Sequence, residues 1–396
     1  MNEVLRKQAR QIFDAGVAAA DPFDAVTAHL DKVPRPALII AVGKAARLMA
    51  KAALVHFTDV PCLVVTNYEN ATPLAGATVM AAGHPVPDEN GALAAQAVIA
   101  ALGRATGPVL ALISGGGSAL LPAPAAGLTL ADKAEVNALL LASGLDITAM
   151  NLIRQQLSAL KGGGFLRHAS PQHVTALILS DVIGNDLSAI ASGPTVGPIG
   201  TAEDAIAQLQ SGGLWAQLPD SVRAHLENSP ASAPLPEAVN ILVGSNEKSV
   251  VAMAAAARDA HVIASPIEGD VVDAARMICD NARIGITVWG GETTVVLNGD
   301  GLGGRNQELA LRIAQEAAKR GWTDWVCLQG GSDGRDGPTD AAGGLVDDKT
   351  LSKIDDINGL LANNDSYAAL AQAGDLLMTH ATGTNVADLG VMIRKP

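Results

Sequence analysis

Short apolar runs that empty into glycine-rich polar loops recur along the chain, and the segments between them place apolar residues at helical spacing. The runs 37–42, 62–66, 78–81, 109–113, 174–179, 240–243, 262–264, 286–289 and 325–328 have the length and apolar continuity of buried strands. Residues 2–19 carry Leu5, Ala9, Ile12 and Gly16 on one helical face, and Asp21-Pro22 supplies an N-cap and a first-turn proline for a second helix. Further helices are predicted from Gly43 to about Val55 and over 89–102, 131–143, 146–160, 202–210, 244–261, 271–282 and 305–320. Alternating strands and helices predict an α/β protein with largely parallel, Rossmann-like sheets, each a three-layer α/β/α domain. At about 150 residues per domain the length admits two, and the one proline-rich stretch, 229–236, marks the boundary. The expected domains are 1–232 and 237–396, with a cleft between them and 229–236 as its hinge.

Four of the runs end in loops with candidate chemistry. After 325–328 come Asp333, Asp336 and Asp340, spaced by glycines; after 109–113 comes Ser114-Gly115-Gly116-Gly117-Ser118. Ser180-Asp181 follows 174–179, and Gly290-Gly291-Glu292-Thr293 follows 286–289. Glycine lets a backbone approach a phosphate, successive amides can form an anion nest, and aspartate oxygens are the hard donors that Mg²⁺ takes. A solvated turn is the plainer reading of any single such loop; four at strand exits argue one composite site. Gly43-Lys44-Ala45-Ala46 opens a helix after the first strand. It lacks the first glycine and the hydroxyl of a Walker A loop, and a lysine at a helix start is either a ligand contact or a surface residue. His84, in Gly83-His84-Pro85, is read as a satisfied loop histidine or an anion contact, and Arg305 as a fork for a carboxylate or phosphate.

Composition narrows the class. Hydrophobic residues make up 48% and charged residues 17%, which describes a compact globular protein. The net charge of −13, without a basic block, argues against nucleic-acid binding. Cys62, Cys279 and Cys327 are too scattered for a disulfide framework and read as core thiols. The first twenty residues lack the apolar core of a signal peptide, and glycines and prolines break the uncharged stretch 105–131, so no membrane segment is expected and the chain is expected to be cytoplasmic.

Taken in order, Gly43-Lys44-Ala45-Ala46, Gly83-His84-Pro85, Ser114 to Ser118, Ser180-Asp181-Val182, Gly193-Pro194-Thr195, Gly290 to Thr293, Gly304 to Glu308, Ser332-Asp333-Gly334, Gly337 to Gly343 and Thr382 to Asn385 resemble the glycerate 2-kinase family. That family is also annotated under a hydroxypyruvate reductase name and ends in a MOFRL domain. The resemblance covers nearly the full chain. It implies ATP-dependent, Mg²⁺-assisted phosphorylation of D-glycerate on its 2-hydroxyl, with a nucleotide-binding N-terminal domain and a homodimer as a candidate assembly. By position it makes Lys44 and Arg305 cationic clamps, and Asp181 and Asp333 either Mg²⁺ ligands or the proton acceptor. Gly43, Ser114, Gly115, Gly116, Gly117, Ser118, Asn306 and Glu308 would line the cofactor. The rival, an NAD(P)H-dependent hydroxypyruvate reductase, needs a GxGxxG turn after the first strand and an acidic residue ending the second, and neither is present. A silent carboxylate-sensing protein would have lost Lys44 or the aspartates, and has not.

Overall fold

A computed structural model describes residues 2–229 and 234–396. The chain divides into two compact units, Pro22–Val243 and a second formed by the segment up to Asp21 together with Gly244–Pro396.

The first unit is built on strands β1 (Leu38–Val42), β2 (Cys62–Asn67), β3 (Ala77–Ala82), β4 (Val109–Ser114), β5 (Val174–Leu179) and β6 (Ala238–Gly244), in the order β3-β2-β1-β4-β5-β6. Pairings among the first five are all parallel. Every residue of β1 and β4 is buried, which is why both read as unbroken apolar runs. Ile40, Val42, Val65, Ile113 and Ile178 meet Ala94, Val98 and Leu102 of the helix Glu89–Gly103 in one core. A satellite core of Leu140, Ile153, Leu209 and Leu226 joins the helices that lie between β4 and β6 in the chain.

The second unit carries β7 (His261–Val262), β8 (Ile267–Asp270), β9 (Gly285–Thr294), β10 (Trp325–Gly331), β11 (Gly343–Asp347), β12 (Leu376–Leu377) and β13 (Asp388–Arg394). Their order is β12-β11-β10-β13-β9-β7, with β8 also on β9. β13 runs antiparallel to both neighbours, as do β10 with β11 and β11 with β12; only β7 and β8 are parallel to β9. Side chains alternate between faces as strand geometry requires. Val326, Leu328, Leu389 and Val391 pack on Leu5, Ile12 and Phe13 of the helix Asn2–Ala18. Trp325, Cys327 and Met392 pack on the helices Val271–Asn281 and Arg305–Lys319.

The α/β class and the two-unit design match expectation, while three particulars differ. The second sheet is mixed, because the aspartate loop joins β10 directly to the adjacent β11 with no crossover helix. The run at 240–243, read as restarting the second domain, is the sixth strand of the first sheet. The first helix belongs to the second unit, so contacts divide the chain differently from 1–232 and 237–396. Of the expected hinge, residues 230–233 lie outside the described residues. Among the described residues no helix is long and apolar enough to cross a membrane, and the three cysteines are buried and unpaired.

Candidate active site

In the first unit the strand order reverses between β1 and β4. A doubly wound sheet opens a crevice at such a switch point, outside the carboxyl ends of its strands. Gly43-Lys44 leaves β1 there and Ser114 to Ser118 leaves β4. The two turns are stapled together: Lys44 N donates to Gly115 O at 2.9 Å and Ala45 N to Ser114 Oγ at 3.1 Å. Gly43 has φ +123°, and a Cβ on it would collide with Ser114. Only glycine lets the turns approach so closely. Gly116 at φ +85° precedes the short helix Gly117–Leu120, and residues of opposite hand in succession aim their N–H groups into one concavity.

Three side chains surround these glycines. Gly115 lies against the Asp181 carboxylate, and Gly116 against the His84 ring and the Lys44 stem. Burial pushes the Asp181 carboxyl up from its ordinary value, against the pull of its own backbone N–H and of Lys44. The His84 imidazole is pushed down, by burial first and then by the Lys44 charge, with Glu69 opposing. The shift favours the neutral ring. Ser118 turns away from this group, its Oγ 2.8 Å from Ser192 Oγ and accepting from Lys161 Nζ at 2.8 Å.

In the second unit Arg305 grips Asp388 with two hydrogen bonds, Nε to Oδ2 at 2.7 Å and Nη2 to Oδ1 at 3.0 Å, while Nη1 reaches Glu292 at 3.0 Å. Burial pulls the guanidinium pKa down, but the hydrogen bonds and charge of Asp388 outweigh it and hold Arg305 as a cation. Asp336 caps the helix Arg305–Lys319 by accepting from the backbone N–H groups of Asn306, at 3.1 Å, and Gln307, at 2.8 Å. Asp333 accepts from Arg335 N at 3.0 Å, and its charge bears on Asp388.

Lys44, Gly43, Ser114 to Ser118 and Asp181 thus gather in one unit, and Arg305, Asn306 and Asp333 in the other. Two residues expected to line the cofactor, Asn306 and Glu308, already have partners within the protein. Asn306 Nδ2 serves Asp336 and Asp388, and its Oδ1 accepts from Gln329. Glu308 is ion-paired with Arg312 at 2.7 Å and accepts from Asn364. Both residues are buried, and these partners satisfy their polar groups within the protein. Sequence reasoning did not single out Asp388, three residues beyond the Thr382 to Asn385 motif. The apolar run Leu389 to Ile393 behind it was the available sign of a strand whose first residue faces a site.

Residues 8–227 match the family described as a domain of unknown function, DUF4147, and residues 285–388 match the MOFRL family. The class defined by this fold and these loops is a two-unit DUF4147–MOFRL protein. The chain is 37% identical to the D-glycerate 2-kinase of Thermotoga maritima over 98% of each protein. It is 39% identical to an Agrobacterium vitis protein with a provisional hydroxypyruvate reductase name, over 99% of this chain and 95% of that one. A crystal structure of glycerate kinase from Thermotoga maritima matches with a TM-score of 0.91 at 35% identity, covering 99% of this chain and 100% of that one. The chain belongs to the glycerate 2-kinase family.

Proposed function

We propose that this protein is an ATP-dependent kinase that phosphorylates D-glycerate on its 2-hydroxyl and yields 2-phosphoglycerate. The observation that carries this reading is the meeting of Lys44, Asp181 and three glycines at the switch point of the first sheet, in a chain that matches a D-glycerate 2-kinase over almost its whole length. Phosphoryl transfer asks a protein mainly for positioning and charge neutralisation. The glycerate 2-oxygen attacks the γ-phosphorus, the bond to the β,γ-bridging oxygen breaks, ADP leaves, and the hydroxyl proton passes to a carboxylate. Asp181 suits that last role, because burial raises its proton affinity beside a cationic lysine. Lys44 and the amides of Gly115 to Gly117 take phosphoryl oxygens. Arg305, already braced by Asp388, offers the substrate carboxylate a fixed positive charge in place of a swinging clamp.

Mg²⁺ fits the donor set. Carboxylate oxygens are hard donors, and Mg²⁺ is commonly held by one or two carboxylates plus substrate phosphates. Asp333 is a candidate donor for it, and the ion when bound would neutralise phosphate charge. We place the protein in the cytoplasm, where three unpaired buried thiols stay reduced.

The test is ADP release with D-glycerate, with the phosphorylated carbon read by NMR. We expect 2-phosphoglycerate, loss of activity on chelation with recovery on Mg²⁺ addition, and a drop of about a hundredfold or more in kcat/KM for Lys44→Ala with the fold intact. Oxidation of NADH or NADPH by hydroxypyruvate without ADP release would overturn the kinase reading.

A further inference from the structure

Near the Ser114 to Ser118 loop lie three basic side chains, Lys161, Lys133 and Arg154, with no carboxylate partner among the described residues. Lys161 is 7% exposed, and its stem lines an apolar cavity with Val42, Ile113, Leu121 and Phe165. Its Nζ donates to Ser118 Oγ at 2.8 Å. The Arg154 charge bears on it, and it bears in turn on Lys133, whose amine burial pushes well below its ordinary value. Lys133 Nζ donates to the carbonyls of Pro122, at 2.6 Å, and Leu157, at 3.1 Å; Arg154 donates twice to Asn137 Oδ1. Among the described residues no acidic side chain pairs with any of the three. A buried cation is ordinarily matched by an anion, and its charge is otherwise expelled by loss of the proton.

The link to the loop is short and held in place. Ser118 Oγ, which accepts from Lys161, also shares a hydrogen bond with Ser192 Oγ at 2.8 Å. The Ser192 carbonyl is fixed in turn by Gly162 N at 3.1 Å and Gln155 Nε2 at 3.2 Å. Ser118 lies one residue beyond the glycines that surround the proposed phosphoryl site. A charge on Lys161 is therefore carried to that loop through a single hydroxyl, across an apolar floor that screens it poorly.

We propose that Lys161 is a positioning residue for anion binding: acting through Ser118, it orients the glycine loop and takes up a proton as the loop fills with the phosphoryl groups of a nucleotide. The proposal rests on the reading of that loop as the phosphoryl site. Burial, with Arg154 adding to it, pulls the Lys161 amine down to about 7, so it has a proton to gain near neutrality. The sign follows. Above pH 7 the free protein must bind a proton together with the anion, so affinity weakens as pH rises through that range.

The experiment uses the full chain, with ATP as the probe, and compares wild type with Lys161→Met and Lys161→Arg. Expected for Lys161→Met is a KM for ATP raised about tenfold or more, with a smaller change in kcat and no fall in melting temperature, since an apolar side chain suits the cavity. Wild-type affinity for ATP should weaken up to about tenfold per pH unit between pH 7.5 and 8.5, and the methionine variant, which meets the same ligand titration, should be flatter by that amount. Lys161→Arg, which keeps the charge, should recover part of the affinity. A methionine variant with wild-type KM and pH dependence would overturn the proposal, and so would a loss of activity that follows a loss of thermal stability. Wild-type protein that shows the pH-linked ATP binding but transfers no phosphoryl group to D-glycerate would sink the kinase reading and leave Lys161 in its role.

Discussion

Asp336 shows how a side chain read from the sequence as a loop aspartate becomes part of a helix. Its carboxylate accepts from the first backbone N–H groups of Arg305–Lys319, yet its pKa is raised from 3.8 to about 6. Burial outweighs the helix amides, and the nearby Asp388 charge pushes the same way. Between about pH 4 and pH 6 the folded protein holds this proton after the unfolded chain has released it. The native state binds more protons in that window, so this group's contribution to stability falls as pH rises and levels off above about 6. The difference of about two pKa units corresponds to something on the order of 3 kcal/mol. Urea unfolding of wild type and Asp336→Asn at pH 4.5, 5.5 and 7 checks it: the stability of wild type relative to the variant should decline across the series, and a constant difference would refute the assignment. That Lys44 and Asp181 lie beside the glycine turns was legible from their strand exits. The surroundings of Asp388 and Lys161 were not, because one opens an unread strand and the other follows a predicted helix, and their partners are remote in sequence.

At the scale of elements, the strands of the first sheet were readable because a parallel strand buried on both faces is an uninterrupted apolar run, as β1 and β4 are. β11 begins with two glycines that carry no side-chain signal, and β13 was masked by the polar residues ahead of it. The glycines of the paired turns do separable work, and substitution can tell them apart. At Gly43 the backbone lies at φ +123° and a Cβ meets the Ser114 main chain, which cannot yield. Gly43→Ala should cost about 2 kcal/mol or more and lower the melting temperature. At Gly115 the atoms nearest a Cβ are all in the Asp181 carboxylate, a side-chain end and not main chain. Gly115→Ala should therefore melt within a few degrees of wild type and yet lose about a hundredfold in kcat, since it displaces the proposed proton acceptor. Parallel melting curves and rate assays decide it; equal destabilisation by both substitutions would show that Asp181 cannot give way.

For the whole molecule, periodicity tells which face of a helix is buried but not against what. The stripe Leu5, Ala9, Ile12 and Gly16 announced an amphipathic helix, and nearness in sequence assigned it to the first domain. It packs instead on β10 and β13, whose strands lie more than three hundred residues further along the chain. One charge fixes that choice. Arg6 donates to Asp347 Oδ2 at 2.8 Å, Asp375 Oδ1 at 2.7 Å and the Leu345 carbonyl at 2.7 Å, and the side chains of Asp347 and Asp375 are only 6% and 2% exposed. Truncating one partner of a buried ion pair leaves the other charged and desolvated, which is far more damaging than losing a surface pair. Lys353 at 3.7 Å and the Thr350 hydroxyl remain beside Asp375, but Asp347 loses the one cation paired with it among the described residues. Arg6→Ala should thus cost about 3 kcal/mol, and Arg6→Met, which keeps the apolar stem, should recover little of it. The loss should fall on the second unit. Hydrogen exchange followed by mass spectrometry should show faster exchange in the helix Asn2–Ala18 and in β10, β11 and β13, with β1 and β4 unchanged, and uniform acceleration in both sheets would refute the assignment of the first helix to the second unit's core.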